Sequence, residues 1–331
     1  MATAPLTRPT SRLESLPVEI LELIFLHSLE INLPRSTLHL SRALSNPVLY
    51  TWFIRLAFSS PNRSSRDLFT IDFLPPPLDI WNLSPEQRQS LQTALLECCW
   101  CTLSFMRRCQ RDYMYHVIRH QRSQLQLRFD PDAEAQLAHL DPFFTGLSHA
   151  DRPSNSKGDV IIPSRAPDGS RRKLALWFHR GAVQIRPPRE IFIEDDVFRL
   201  PCSSAIAPGR IPNKLLREPW TNDKLEFLEL LSADFYLPEA EGLRENILAK
   251  MIRKRQISPF RRLMRMKFRT AECRVPQGWP VPKLIYPLVR KYGDGPGMGD
   301  PFALFLLDER WEDIAEAAKD KLIQYVNVEY G

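Results

Sequence analysis

The chain has 331 residues, a formal net charge of +6, 44% hydrophobic residues and 25% charged residues. This composition is ordinary for a globular protein, and the mild positive charge permits an acidic partner without requiring one. No apolar run approaches the roughly 18 residues of a membrane span, and the six cysteines lack the spacing of a secreted disulfide framework. We therefore expect a protein of the cytoplasm or nucleus. With 29 prolines against 12 glycines, its composition favours helices joined by stiff connectors.

The first predicted element is a helix at Leu16–Leu26, which follows a tail of residues 1–12 that we expect to be disordered. Pro17 suits the first helical position, where a backbone N–H is not needed. The helix has more apolar side chains than one buried face can hold: Val18, Ile20, Leu21, Leu23, Ile24, Phe25 and Leu26. A helix that is apolar on most sides must be covered on most sides, either by the rest of the chain or by another protein.

Two further short helices are predicted before residue 58. Ser36 is placed to cap the second helix, and Asn46 followed by Pro47 supplies a cap and a first-turn proline for the third. The apolar residues at helical spacing in these two helices are Leu38, Leu40, Ala43, Leu44, Val48, Leu49, Trp52, Phe53 and Leu56.

The motif of the first helix reads Leu16-Pro17-x-Glu19-Ile20-Leu21-x-x-Ile24-Phe25. With the two helices that follow, it resembles an F-box, which would cover residues 13–58. The resemblance implies a three-helix module that binds the Skp adaptor of an SCF ubiquitin ligase and, through it, the cullin and RING subunits. The adaptor contacts that it implies are Leu16, Pro17, Ile20, Leu21, Ile24, Leu44 and Trp52.

The whole chain is also similar to a group of filamentous-fungal F-box proteins whose function is not settled. The shared stretches are Leu33-Pro34-Arg35-Ser36 and Leu215-Leu216-Arg217-x-Pro219-Trp220-Thr221. The other interpretation of residues 16–58 is a helical hairpin in the core of a larger α domain.

Residues 59–145 are predicted to be helical. Ser84-Pro85-Glu86-Gln87 is a capping box with proline at the first helical position. Helical spacing then continues to about Arg128, either unbroken or with one break. Asp130-Pro131 starts another short helix. Residues 146–172 are rich in Pro, Ser, Gly and charge, which is typical of a linker.

Residues 173–200 change to the two-residue period of β-strands. The apolar residues from Leu174 to Phe178 alternate, residues 179–181 form a turn, and Val183 and Ile185 alternate back, which predicts a β-hairpin. A third strand is placed at Ile191-Phe192-Ile193. Residues 201–222 predict a proline-rich connector.

Residues 223–331 are predicted to be helical again, so the fold class is mainly α. The apolar pattern that begins at Phe227 recurs at Phe260, an offset of 33 residues, which is the ankyrin period. The ankyrin Thr-Pro-Leu-His signature is missing, so a degenerate ankyrin-like, helical-repeat-like region and plain helical pairs both remain open. The last helix is placed from about Glu309 to Val326.

Two clusters are candidates for binding. The cysteines at 98 and 101 and the histidines at 116 and 120 have a loose zinc spacing, but a zinc finger needs a β-hairpin at its cysteines, and we expect no metal and no cofactor. The basic segment 253–274 is interpreted as a polyanion or target-docking face, or simply as a solvated helix face. Its candidate residues are Arg253, Lys254, Arg255, Arg261, Arg262 and Arg265.

No arrangement of residues typical of a catalytic site is present, so we expect no enzyme. The favoured function is a substrate-recognition subunit of an SCF-type ubiquitin ligase that binds an unidentified protein target. One alternative is a nucleic-acid-binding protein that uses the segment 253–274. The other is an adaptor-independent scaffold in which the helices of residues 16–58 pack against residues 85–128.

Overall fold

The structure is a computed structural model of the whole chain. Its described residues divide into two compact units, an N-terminal unit that ends at Ser203 and a C-terminal unit that begins after it. The described residues are 11–62, 67–145, 157–188, 196–203, 206–232, 234–238, 243–270, 275–279, 281, 285–293 and 299–327.

The N-terminal unit is helical up to residue 145. Its helices are α1 Val18–Ser28, α2 Leu33–Ser36, α3 Leu38–Leu44, α4 Pro47–Phe58, α5 Pro85–Glu97, α6 Leu103–Gln124, α7 Pro131–Ala138 and α8 Asp141–Thr145. Helix α3 packs on both α1 and α2, and α4 packs on α5 and α6. The mainly α fold class is confirmed, and within the described residues no helix has the length and apolar content needed to cross a membrane.

Local capping explains several helix boundaries. The Asn46 side chain accepts from the Val48 N–H at 2.9 Å, and Ser84 and Gln87 form the predicted capping box at the start of α5. The second predicted helix is wrong in detail, because Thr37 rather than Ser36 caps α3 and Leu33–Ser36 is a separate short helix.

The helical stretch that starts at α5 has a break, which the sequence had left open. The break lies at residues 98–102, where Thr102 caps α6 anew by accepting from the Phe105 N–H at 3.3 Å. The predicted disordered tail extended to residue 12, but Ser11 exchanges hydrogen bonds with Glu14. Residues 1–10 lie outside the described part of the chain.

The β structure of the N-terminal unit is an antiparallel sheet in the order β1-β2-β3-β4. Its strands are β1 Val160–Arg165, β2 Arg171–Trp177, β3 Ala182–Arg186 and β4 Phe198–Arg199. The predicted hairpin corresponds to β2 and β3, and α6 packs on β3 and β4.

The linker prediction for residues 146–172 is wrong over β1 and the start of β2. The strand was not predicted because it contains Pro163, and proline is depleted in strands. It is tolerated because β1 is an edge strand, where a missing N–H need not break the ladder. Residues 146–156 and the third strand placed at 191–193 lie outside the described residues.

A buried polar junction ties the end of α4 to the end of the sheet. The backbone of Cys202 donates to the carbonyl of Phe58 at 2.8 Å, and Ser60 donates to Arg199 at 3.1 Å. Arg88, on α5, donates from Nε to the Ala57 carbonyl at 2.7 Å and from Nη2 to the carbonyls of Ser59 and Cys202.

Gln92 lies one turn further along α5 and completes the junction. Its Nε2 donates to the Ala57 carbonyl at 2.7 Å and to the Cys202 carbonyl at 2.9 Å. The junction thus supplies hydrogen-bond donors to carbonyl groups that α4 leaves without helical partners at its C-terminus. The helix dipole also favours a cation at this end of the helix. Burial lowers the pKa of Arg88.

We expect Arg88→Met to lower the free energy of unfolding of the N-terminal unit by about 2–3 kcal/mol, because it leaves the Ser59 carbonyl without its side-chain donor and leaves the Ala57 and Cys202 carbonyls with Gln92 alone. Ser90→Met is the matched control, since Ser90 is exposed on the same helix, and it should change stability by less than about 0.5 kcal/mol. Urea unfolding measures both values. Equal effects of the two substitutions would contradict the role of the junction.

The C-terminal unit is built from six helices and a short two-stranded sheet within the described residues. These elements are α9 Asn222–Ser232, α10 Leu243–Arg253, α11 Ile257–Arg265, β5 Lys267–Phe268, β6 Gln277–Gly278, α12 Ile285–Tyr292, α13 Pro301–Glu309 and α14 Glu316–Asn327. The last helix was placed too early, because α13 ends at Glu309 and a 3-10 turn at Trp311–Asp313 precedes α14.

The helices of this unit pack in two rows. Helix α11 packs on α9 and α13, while α12 packs on α10 and α14. Beside the rows, Tyr236 forms parallel bridges to both Arg210 and Arg269. The backbone N–H of Leu237 donates to the Arg269 carbonyl at 2.9 Å. The segments that follow α9 and α11 therefore lie next to each other.

Candidate functional site

Helix α1 has one buried face and one exposed apolar face. Leu21, Phe25 and Leu26 are buried, whereas Ile20 and Leu23 leave 42% and 45% of their surface exposed. At 100° per residue, Ile20 and Leu23 project on the side of the helix opposite to the buried residues. We call the surface formed by Leu16, Ile20, Leu23 and Ile24 the outer stripe of α1.

The buried face is held by α4. The rings of Phe25 and Phe53 meet edge to face with centroids 4.7 Å apart, and Asn46 Nδ2 donates to Glu22 Oε1 at 3.4 Å. At the other end, Leu29 adopts a left-handed conformation with φ of 52° and its N–H caps the Phe25 carbonyl. These contacts fix the rotation of α1 about its axis and thereby decide which side chains remain outside.

The seven predicted adaptor contacts differ in their solvent exposure. Pro17 and Ile20 are exposed, and Leu16, Ile24 and Trp52 are partly exposed. Leu21 and Leu44 expose none of their surface, so the prediction that they contact a partner directly is wrong: both pack inside the unit.

Several exposed apolar residues were not among the predicted contacts. Leu23 completes the outer stripe, and the spacing 16, 20, 23, 24 already carried this signal in the sequence. Leu38 on α3 is 68% exposed and Val48 on α4 is 51% exposed. Sequence periodicity could not separate Leu38 or Val48 from core residues, because short helices give too few turns to define a face.

Leu38 also lines a cleft of about 1050 Å³ beside α1. Tyr50 and Trp100 also line this cleft, and their rings stack in parallel with centroids 4.1 Å apart. Phe25 reaches the cleft from the buried face of α1. The helices of residues 13–58 therefore present apolar side chains on two different surfaces.

The predicted basic face of the C-terminal unit is largely paired with carboxylates. Lys254 pairs with Glu218, Arg255 with Asp300, Arg262 with Glu229, and Arg265 with Glu309. Asp300 is fully buried, and it also caps α13. Arg261 remains exposed, with its guanidinium 6.0 Å from the centre of the Phe305 ring. Arg253 is exposed on α10.

The loose zinc spacing has a structural explanation. Cys98 donates from Sγ to the Ala94 carbonyl at 3.4 Å, and His116 Nε2 lies 2.6 Å from the Leu68 carbonyl oxygen. Among the residues that the structure describes, no group of three or more His, Cys, Asp or Glu side chains is placed to hold a metal. Burial raises the pKa of the nearby Cys109 thiol to about 12, so this thiol is not reactive at neutral pH.

No family model, no curated protein and no solved structure matches this chain. Its function must therefore be argued from the surfaces described above.

We expect Leu21→Ala to lower the free energy of unfolding by about 2–5 kcal/mol, because Leu21 is fully buried. Leu23→Ala removes the same number of atoms from an exposed position and should cost less than about 0.5 kcal/mol. Urea unfolding of the free chain measures the difference. Equal losses would show that the outer stripe of α1 is covered by the chain itself.

We expect His116 to make stability depend on pH. Burial lowers the pKa of His116 in the folded chain, so the unfolded chain, with a His pKa of about 6.5, takes up the proton first as pH falls. The corresponding stability is present above about pH 6.5 and is lost below it. The parent chain should therefore lose more stability than His116→Gln between about pH 7.5 and about pH 5.5. Parallel pH profiles in urea unfolding would contradict this.

Proposed function

We propose that this protein is a non-catalytic substrate receptor of an SCF-type ubiquitin ligase. In this proposal, helices α1–α4 form an F-box and bind the Skp adaptor through the outer stripe of α1. The observation that carries the proposal is the exposure of Ile20 and Leu23 on a helix whose other side buries Leu21, Phe25 and Leu26. Large apolar side chains that remain paired on one exposed face are typical of an interaction site.

The energetic reason for docking is the removal of this apolar surface from water. Complete burial of one large aliphatic side chain contributes about 1.5–3 kcal/mol. Ile20 and Leu23 are already more than half covered, so burying the remainder contributes about 2 kcal/mol for the pair. The proposed contact set is Leu16, Pro17, Ile20, Leu23, Ile24 and Trp52.

We propose that the C-terminal unit selects the protein target as a degenerate ankyrin-like repeat. Two observations support this layout. The two rows of helices stack like the paired helices of a solenoid, and the bridged residues Tyr236 and Arg269 are 269 − 236 = 33 residues apart. The same offset relates Phe227 on α9 to Phe260 on α11.

The alternatives are less well supported. Nucleic-acid binding by the segment 253–274 requires free cations to replace counterions, and carboxylates already pair with Lys254, Arg255, Arg262 and Arg265. The scaffold alternative, in which the helices of residues 16–58 pack against residues 85–128, agrees with the packing of α4 on α5 and α6, but it does not account for the exposure of Ile20 and Leu23. A ligase receptor would work in the cytoplasm or nucleus together with the cullin and RING subunits.

We expect Ile20→Asp combined with Leu23→Asp to abolish co-purification of the Skp adaptor, because two carboxylates would have to be desolvated at the interface. The free variant should remain folded, since both residues are exposed. The matched control is Ile71→Asp combined with Leu125→Asp, which changes two apolar residues that are 73% and 41% exposed elsewhere in the same unit. Pull-down with purified adaptor measures the effect, and unchanged capture by the outer-stripe variant would refute the proposal.

A further inference from the structure

One face of the small sheet carries cations that lie directly opposite each other. Arg165 on β1 pairs in register with Arg171 on β2, and Lys173 on β2 pairs with Arg186 on β3. Like charges at directly opposed positions destabilise a sheet. Since the side chains of a strand alternate between faces, Arg165, Arg171, Lys173 and Arg186 all belong to the same face.

This face borders a cleft of about 580 Å³. Four arginines and one lysine line it, together with an apolar rim. The cations are Arg128, Arg165, Arg171, Arg172 and Lys173, and the apolar rim consists of Phe129, Ile161, Pro163 and Pro188. Within the described part of the chain, none of these five cations forms an ion pair with a carboxylate.

Two carboxylates lie close enough to consider. Asp130 lines the cleft and its charge offsets one of the five cations, while its side chain caps α7 by accepting from the Ala133 N–H at 2.8 Å. Asp168 belongs to the exposed turn between β1 and β2. Its pKa is lowered first by hydrogen bonds from Ser170 and only secondarily by the charge of Arg172. The cleft therefore retains a concentrated positive charge.

Ser164 does not belong to the cation face, although it lies between Pro163 and Arg165 on β1. The residues of β1 alternate between buried and exposed, and Ser164 is only 5% exposed. A ligand on the cation face would therefore be held by the cations, and it would relieve the repulsion between those that lie opposite each other.

The backbone around the cleft is firmly held. Arg128 and Arg165 exchange two backbone hydrogen bonds of 2.8 and 2.9 Å, which attach the segment before α7 to the edge of the sheet. The cations at the cleft thus project from β1, from β2 and from the segment before α7. A binding site on such a scaffold is preorganised, which reduces the entropic cost of binding.

We propose that this cleft binds a phosphorylated serine or threonine of a partner peptide. A phosphoryl group concentrates up to two negative charges and three acceptor oxygens at one point, which matches clustered arginines. The apolar rim, with Ile161 38% exposed, fits the neighbouring side chains of a peptide. Single-stranded nucleic acid fits less well, because it stacks on successive aromatic rings and Phe129 is the one aromatic residue that lines the cleft.

The inference does not depend on the Skp adaptor, because the outer stripe of α1 and the cleft share no residue. A variant that loses phosphopeptide binding should still capture the adaptor. Failure of either proposal can therefore be recognised separately.

The test is fluorescence anisotropy of the full chain with labelled peptide libraries. One library holds a central phosphoserine between degenerate positions, and two matched libraries hold serine or glutamate at the centre. The phosphoserine library should bind at least about tenfold more tightly than either matched library. Equal binding of the glutamate or serine library would overturn the proposal, as would tighter binding of labelled single-stranded poly(U) RNA.

The variant for this test is Arg165→Gln combined with Arg171→Gln. It should weaken binding of the phosphoserine library by about tenfold or more, while its Tm should stay the same or rise because an opposed cation pair is removed. The control is Arg42→Gln combined with Arg119→Gln, which removes two exposed arginines of the same unit outside the cleft and should change binding by less than about twofold. Equal weakening in both variants would show non-specific charge attraction and would overturn the proposal.

Discussion

The buried junction of Arg88 and Gln92 is the interaction on which the N-terminal unit depends. It joins the last carbonyl groups of α4 to the strand end at Cys202 through two side chains of α5. Phe53 of α4 meets Phe25 of α1, so the junction contributes to the position of α1, together with the packing of α3 on α1. The outer stripe of α1 is apolar by sequence, but it lies outside the core because α1 packs inward through Leu21, Phe25 and Leu26.

Much of the local structure could be predicted from the sequence. The capping box at Ser84, the cap at Asn46 and the hairpin after Leu174 each depend on residues close together in the chain. Which face of α1 is buried could not be predicted, because Ile20 and Leu21 are equally apolar and only the packing partner separates them. Strand β1 was missed for a different reason: it is an edge strand, and its proline is tolerated by a tertiary position that the sequence does not reveal.

The sequence does not show which charged side chains are paired, just as it does not show which apolar side chains are buried. The basic segment of the C-terminal unit is conspicuous in the sequence, yet four of its six candidate residues meet carboxylates that are distant in the chain, such as Glu229 and Asp300. The cations of the sheet are fewer and less conspicuous. Strand register places them opposite one another without carboxylates in ion-pair contact among the described residues. The number of charges in a segment therefore says less about binding than the partners that the fold gives them.

We propose that the adaptor docks on the outer stripe of α1, an apolar surface that is already exposed in the free, folded chain. Calorimetric titration of the full chain with purified Skp adaptor at several temperatures tests this claim most directly. Burial of the outer stripe of α1 predicts saturable binding with a negative heat-capacity change, the robust marker of apolar burial. Absence of binding, or binding whose heat does not vary with temperature, would contradict the account.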